Sequence, residues 1–235
     1  MQYFYCQPVN GQEASLFEDE SKHCVRVLRR DVGDQINVLD GRGNHYRGSI
    51  VEAGNIVQLT NLELVRSEEN PTCQIHIAVA PTKSGDRIEW MLEKLVEVGV
   101  HKVTFIHTDN GERPRVNMKR MNKKALSAMK QSGNLWLPEI TDTTKLTQLI
   151  TQETAETRYI AHCYNEERAV FTSAVKTKSV VLLIGPEGDF SRQELSLAEE
   201  HGFIPFSLGK NRLRTETAAV AGCTLINHFC VTLAE

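Results

Sequence analysis

The chain has 235 residues, of which 40% are hydrophobic and 24% charged, with a formal net charge of −3. That length and mix suit a globular protein of one or two domains with real cores. They exclude a globally basic nucleic-acid binder, and no run approaches the roughly 18 apolar residues that a membrane span needs.

The first residues, MQYFYCQPVN, have neither a basic n-region nor an apolar h-region, so a cytoplasmic protein is expected. Up to residue 70 the chain is rich in short strand signals. INVLDGRGNHYRGSIVEAGNIVQLTNLELV alternates apolar and polar residues, punctuated by Asp40-Gly41, Arg42-Gly43 and Gly54-Asn55. This is hairpin chemistry in a small antiparallel sheet or barrel. Within it, RVLRR is a basic cluster, and His23, Arg26 and Arg29 recur at three-residue spacing. On a helical turn they would share one face and match an RNA phosphate backbone. The bland alternative pairs these arginines with Asp31 and Asp34 on a solvated surface. RSEENPT, residues 66–72, reads as a linker, which divides the chain into residues 1–70 and 71–235.

Beyond the linker, strands and helices alternate. QIHIAVAP predicts a strand, and DRIEWMLEKLVEVGV an amphipathic helix burying Ile88, Met91, Leu92, Leu95 and Val96. KVTFIHTD predicts a strand. From Arg113 to Lys130 stand seven basic residues, among them Arg115, Lys119, Arg120, Lys123 and Lys124, and no acidic one. A helix over 117–132 would present them to a polyanion or simply to water. RYIAHC and SVVLLIG predict strands. SRQELSLAEEHG predicts a helix with a capping box, Ser191 with Glu194, closed by Gly202. FIPFSLG predicts a strand and TETAAVAGCTLINHFCVTL a last helix. Such alternation implies a parallel sheet covered on both faces. The six cysteines form no C-x-x-C pair and read as buried reduced thiols. The eight histidines show no metal-ligand spacing, so no metal site is expected.

Ligands of open parallel sheets bind beyond the carboxyl ends of the strands. Two loops there are candidates: GPEGDFS, and LGKNRLRTETA. The first fits a type I turn with Pro186 second and Gly188 fourth, Gly188 being expected at positive φ. It is neither a dinucleotide fingerprint nor a nucleotide-triphosphate loop. Its carboxylates, Glu187 and Asp189, disfavour an anion and suit a cationic, phosphate-free adenosine such as S-adenosylmethionine. A plain strand-to-helix turn fits it equally well. In the second loop, Thr215 reads as an N-cap and Glu216 as a complement to the helix dipole. Arg214 is unfavourable at a helix N-terminus and calls for a function or an acidic partner. The small residues Ala218 to Gly222 suit very close helix packing.

IGPEGDFS followed by LGKNRLRTETAA resembles the signature pair of the SPOUT superfamily of RNA methyltransferases, and within it the RsmE family, ribosomal RNA small subunit methyltransferase E. HCVRVLRRDVGDQINVLDGRG resembles that family's PUA-like RNA-binding domain, and EKLVEVGV and KQSGNLWLPEI its middle segments. Asn134 stands where the family often has arginine. The resemblance implies a PUA-like β domain over 1–70 and, over 71–235, a SPOUT-type α/β methyltransferase domain with a trefoil knot, its last helix threaded through a loop. It implies a homodimer with the site at the subunit interface, no membrane association, and methylation of N3 of a uridine in small-subunit ribosomal RNA, within an assembled or nearly assembled subunit. By resemblance, the cofactor S-adenosylmethionine is held around Gly185, Pro186, Glu187, Gly188, Leu208, Gly209, Leu213, Thr217 and Ala218. Arg214 stabilises the uridine or its flanking phosphate. Glu216 is a candidate proton acceptor and His162 a weaker one. RNA is expected to contact His23, Arg26, Arg29, Lys119, Arg120, Lys123 and Lys124. A SPOUT enzyme acting on another RNA position such as a ribose 2′-hydroxyl, a non-catalytic RNA-binding protein, and an oxidoreductase on a Rossmann-like sheet remain alternatives.

Overall fold

The structure, a computed structural model, describes residues 2–69, 73–112, 116–164, 169 and 176–231. Arg113 and Arg115 of the basic stretch, and the end of the linker, lie outside the described residues. The chain divides into two compact units, Met1–Pro71 with Leu126–Leu137, and Thr72–Ala125 with Pro138–Glu235.

The first unit is built on a five-stranded sheet of β1 (Tyr3–Tyr5), β2 (Ala14–Ser15), β3 (Gln35–Leu39), β4 (Asn44–Ala53) and β5 (Val57–Ser67). Their order is β1-β3-β4-β5-β2. β1 runs parallel to β3 and the other pairs are antiparallel. The hairpins sit where the turn residues put them. Asp40 accepts the amide protons of Arg42 and Asn44, while Gly41 and Gly43 take positive φ. Phe4, Leu16, Ile36, Val38, Ile50 and Leu59 close the core. The segment Leu126–Leu137 is fixed to the β3–β4 loop by Gly43 N–H donating to Leu135 and Leu137 N–H donating to Gly41.

Helix α1 (Glu18–Lys22) runs into a five-residue π-helix, His23–Val27. This corrects the expected basic face. Arg29 lies past the helix end at φ 54°, and a π-helix does not bring residues three apart into line. His23 is half-buried with its ring 6.3 Å from that of Phe4. Arg26 and Arg29 are exposed, and Arg30 is the arginine that pairs with Asp34.

The second unit is a six-stranded, wholly parallel sheet of β6 (Gln74–Val79), β7 (Lys102–His107), β8 (Glu139–Lys145), β9 (Thr157–Ala161), β10 (Ser179–Ile184) and β11 (Ile204–Phe206). Their order is β11-β9-β10-β6-β7-β8. The chain lays down β6, β7 and β8 in one direction, then crosses to the other side of β6, so the order switches between β6 and β10. Helix α2 (Gly85–Val98) buries all five expected apolar residues and ends at Gly99 with φ 97°. Helix α3 is Met118–Ser132 and α4 is Leu146–Gln152. Helix α5 (Arg192–Glu200) carries the predicted capping box, with Gly202 at φ 79° behind it. β8 and α4 escaped sequence reading. EITDTTK is an edge strand of half-buried and exposed residues, so it shows no apolar alternation. Cys6, Cys24, Cys73 and Cys223 are buried, as expected, whereas Cys163 is exposed; burial pushes the Cys24 thiol up to about 11 and the Cys223 thiol to about 12.

Helix α6 (Thr215–Val231) packs on α2, β6 and β10. Its small residues serve contacts within the chain: Ala219 is fully buried, and a Cβ built on Gly222 would lie 2.3 Å from Leu182 of β10. They therefore do not argue for a dimer. Gly222→Ala should destabilise the fold by roughly 1–3 kcal/mol in denaturant unfolding. Its cost should shrink in a Leu182→Ala background, because the two positions share one contact.

Candidate active site

The loops that follow β9, β10 and β11 meet at the carboxyl ends of their strands, beside the switch in strand order, where open parallel sheets take ligands. Between them lies a cleft of about 300 Å³ walled by Ala161, Cys163, Ile184, Gly185, Pro186, Glu187, Asp189, Arg212, Leu213, Arg214, Thr215 and Ala218. A smaller neighbouring cleft is lined by Ala161, His162, Cys163, Phe206, Leu208, Gly209, Asn211, Leu213 and Ala218.

Two hydrogen bonds join the two signature loops. Thr215 Oγ1 donates to the Gly185 carbonyl over 3.0 Å, and Arg212 Nη2 donates to the Glu187 carbonyl over 2.7 Å. The expectation that Thr215 is the N-cap is corrected. Ala218 N–H donates to the Arg214 carbonyl, which places Arg214 at the cap position, and the Thr215 hydroxyl is spent across the loops. The turn in the β10 loop is displaced by one residue from the expected one. Asp189 N–H donates to the Pro186 carbonyl over 2.9 Å, so Glu187 and Gly188 are its central residues. The positive φ belongs to Asp189, at 63°, and not to Gly188. Gly188 matters for space instead, since a Cβ there would lie 3.2 Å from Asn110 Cβ. Asn110 in turn donates its side-chain amide to the carbonyls of Gly188 and Asp189. Gly209 does take positive φ, 120°.

Of the residues expected to hold a cofactor, Gly185, Pro186, Glu187, Leu213 and Ala218 line the larger cleft, and Leu208 and Gly209 the smaller. Gly188 and Thr217 line neither. Arg214 lines the larger cleft, is exposed, and its side chain forms no ion pair or hydrogen bond with another described residue. The acidic partner allowed for it is therefore absent there. Glu216 also lines neither cleft. It is 6% exposed, with Oε1 3.7 Å from Arg87 Nε, at the start of α6. His162 is buried and borders the smaller cleft. Sequence reading missed Cys163, Arg212 and the backbone role of Asp189. Only the last had a local signal, because aspartate tolerates left-handed backbone.

Along α3, the expected RNA-facing residues separate into two kinds. Arg120 pairs with Glu89, and Lys124 lies 3.7 Å from Glu89 and 3.6 Å from Glu93, both on α2. Lys119 and Lys123 are exposed and form no ion pair among the described residues.

The wholly parallel sheet, its cleft at the carboxyl ends of β9 and β10 and its two cross-bonded loops define a ligand-binding α/β domain. Residues 68–227 match the family model described as an RNA methyltransferase domain, and residues 18–58 match that of an RNA methyltransferase PUA domain. The chain belongs to this RNA methyltransferase family. It is 30% identical over 210 residues to ribosomal RNA small subunit methyltransferase E of Synechocystis sp., covering 86% of this chain and 68% of that one. A solved structure from Porphyromonas gingivalis, described as a probable rRNA-methyltransferase, superimposes with a TM-score of 0.86 at 36% identity, over 99% of this chain and 100% of the other. A methyltransferase from Legionella pneumophila, solved with the cofactor SAM bound, has a TM-score of 0.84 at 26% identity over 96% of each chain.

The bond between Thr215 and Gly185 should hold the two loops together. Thr215→Val leaves the Gly185 carbonyl without its donor and should cost roughly 1–3 kcal/mol in unfolding experiments. Thr215→Ser, which keeps the hydroxyl, should cost much less.

Proposed function

We propose that the chain uses S-adenosylmethionine to methylate N3 of a uridine in small-subunit ribosomal RNA. The observation that carries this is the cleft closed by the Thr215–Gly185 and Arg212–Glu187 bonds. Ile184, Leu213, Ala161 and Ala218 give it apolar walls for a flat adenosine, and Glu187 brings negative charge suited to a sulfonium. Its volume lies at the lower end of the roughly 300–1,000 Å³ usual for small-molecule sites. The residues present thus fit the cofactor, which when bound supplies an electrophilic methyl group.

Neutral uracil carries a proton on N3 and must lose it before N3 can attack a methyl group in line. The protein's task is to place the base, to stabilise its developing negative charge and to exclude water. Arg214 is the group assigned to that charge, since it lines the cleft and its side chain forms no ion pair among the described residues. A guanidinium does not deprotonate, so Arg214 is not the base. Glu216, buried against Arg87, is read as a charge at the start of α6.

RNA affinity is assigned to the first unit through Arg26 and Arg29, and to Lys119 and Lys123 of α3, all exposed. Arg120 and Lys124, held by Glu89 and Glu93, add less. The family resemblance supports a knotted domain, a homodimer, a cytoplasmic location and an assembled or nearly assembled small subunit as substrate. No helix among the described residues is long and apolar enough to cross a membrane.

Incubation of labelled S-adenosylmethionine with undermethylated small subunits, followed by nucleoside analysis, tests the reaction. Label in 3-methyluridine is expected, and label in a 2′-O-methylated ribose would replace this assignment. Arg214→Lys keeps the charge and loses the planar fork. It should lower single-turnover methylation while leaving the affinity for S-adenosylhomocysteine nearly unchanged. Arg26→Ala combined with Arg29→Ala should weaken RNA binding and reduce the slope of log affinity against log salt by roughly one to two units. A salt series read beside cofactor affinity, which should not move, checks this.

A further inference from the structure

Asp189 is a non-glycine residue at positive φ within the β10 loop. Glycine would adopt that backbone freely, so a side chain at this position has to be explained by what its carboxylate does. Oδ1 accepts the amide proton of Phe190 over 2.9 Å, and Oδ2 accepts that of Cys163 over 2.8 Å. The first bond is local. The second reaches across to the loop after β9, and Cys163 is a wall of both clefts. The main chain of Asp189 is fixed as well, its N–H donating to Pro186 and its carbonyl accepting from Asn110. One end of the contact is therefore rigid, and the other is a segment that lines the ligand space.

We infer that Asp189 is a positioning residue of the cofactor site: by holding the Cys163 amide, its carboxylate sets the wall shared by the two clefts. This rests on the proposed use of S-adenosylmethionine. A carboxylate lining a cleft could also act directly, by attracting the sulfonium charge, and the two roles predict different losses. A displaced wall weakens any ligand carrying the adenosine and amino-acid parts. A lost charge weakens only the cationic one.

Asp189→Asn separates them. Asparagine tolerates the left-handed backbone and has nearly the same shape, but it offers one acceptor oxygen where two amides need one each. Asp189→Gly is the second variant, since glycine fits φ 63° without strain and removes the carboxylate altogether. Calorimetric titration of wild type and both variants with S-adenosylmethionine and with neutral S-adenosylhomocysteine is expected to show about tenfold weaker binding of both ligands. Hydrogen exchange at the Cys163 amide, measured without ligand, is expected to be at least about tenfold faster in the variants while the β10 amides stay protected. Weakening confined to the cationic ligand would overturn positioning in favour of direct charge contact. Unchanged affinity, or unchanged exchange at Cys163, would overturn the inference outright. A wild-type chain that binds neither ligand would refute the proposed function, and the exchange measurement would still decide whether Asp189 pins the β9 loop.

Discussion

The close seat of α6 on β10 is the constraint on which the rest of the ligand cleft depends. Gly222 lets the helix approach Leu182 to a distance that no side chain on that face would permit. With the helix so near, the hydroxyl of its first residue, Thr215, reaches the carbonyl of Gly185, the residue that follows β10. Arg212, just upstream, then reaches Glu187. A strand end and a helix start, thirty residues apart in sequence for the Thr215–Gly185 pair, become one wall. Gly185 is buried and its carbonyl needs a donor, and here that donor also shapes the cleft.

The β10 loop is held from its other sides as well. Asn110, after β7, bonds the carbonyls of Gly188 and Asp189, and Tyr164, after β9, donates its hydroxyl to the Phe190 carbonyl. Arg192 lies over the Tyr164 ring at 3.9 Å from its centroid. The capping box at Ser191 and Glu194 is tied in through Asp109, whose amide donates to Glu194 while its carboxylate accepts from Ser191. A loop fixed by so many partners is pre-organised, which favours tight binding because little freedom is lost when a ligand arrives.

Charge is distributed with comparable economy. A chain of net charge −3 carries a run of basic residues along α3, yet α2 neutralises part of it through Glu89 and Glu93. Among the described residues of that run, Lys119 and Lys123 are exposed without an ion pair, as Arg26 and Arg29 are in the first unit. Counting charges along the sequence overstates the usable cluster, because ion pairs between helices are invisible to it.

The sequence by itself determined most elements of the second unit and a hairpin turn of the first. The apolar face of α2, the capping box of α5, the β3–β4 turn and the strand-like run of β10 all depend on local patterns, and they appear where those patterns put them. It also made the two loops of the cleft candidates, through their place after late strands and through the signature pair that they resemble. Tertiary structure alone decided the remainder. β8 is a polar edge strand with no alternation to read, and it exists because β7 offers it a partner. Arg29 left the expected helical face because the helix there is a π-helix that stops first. Thr215 has the composition of a cap and the position of a cross-loop donor, a choice set by where Gly185 lies in space. Glu216 and Arg214 are near neighbours in sequence with opposite fates, one buried against Arg87 and the other open to the cleft. Local rules act over a few residues, whereas which carbonyl, amide or charge meets a side chain depends on strands brought together from distant parts of the chain.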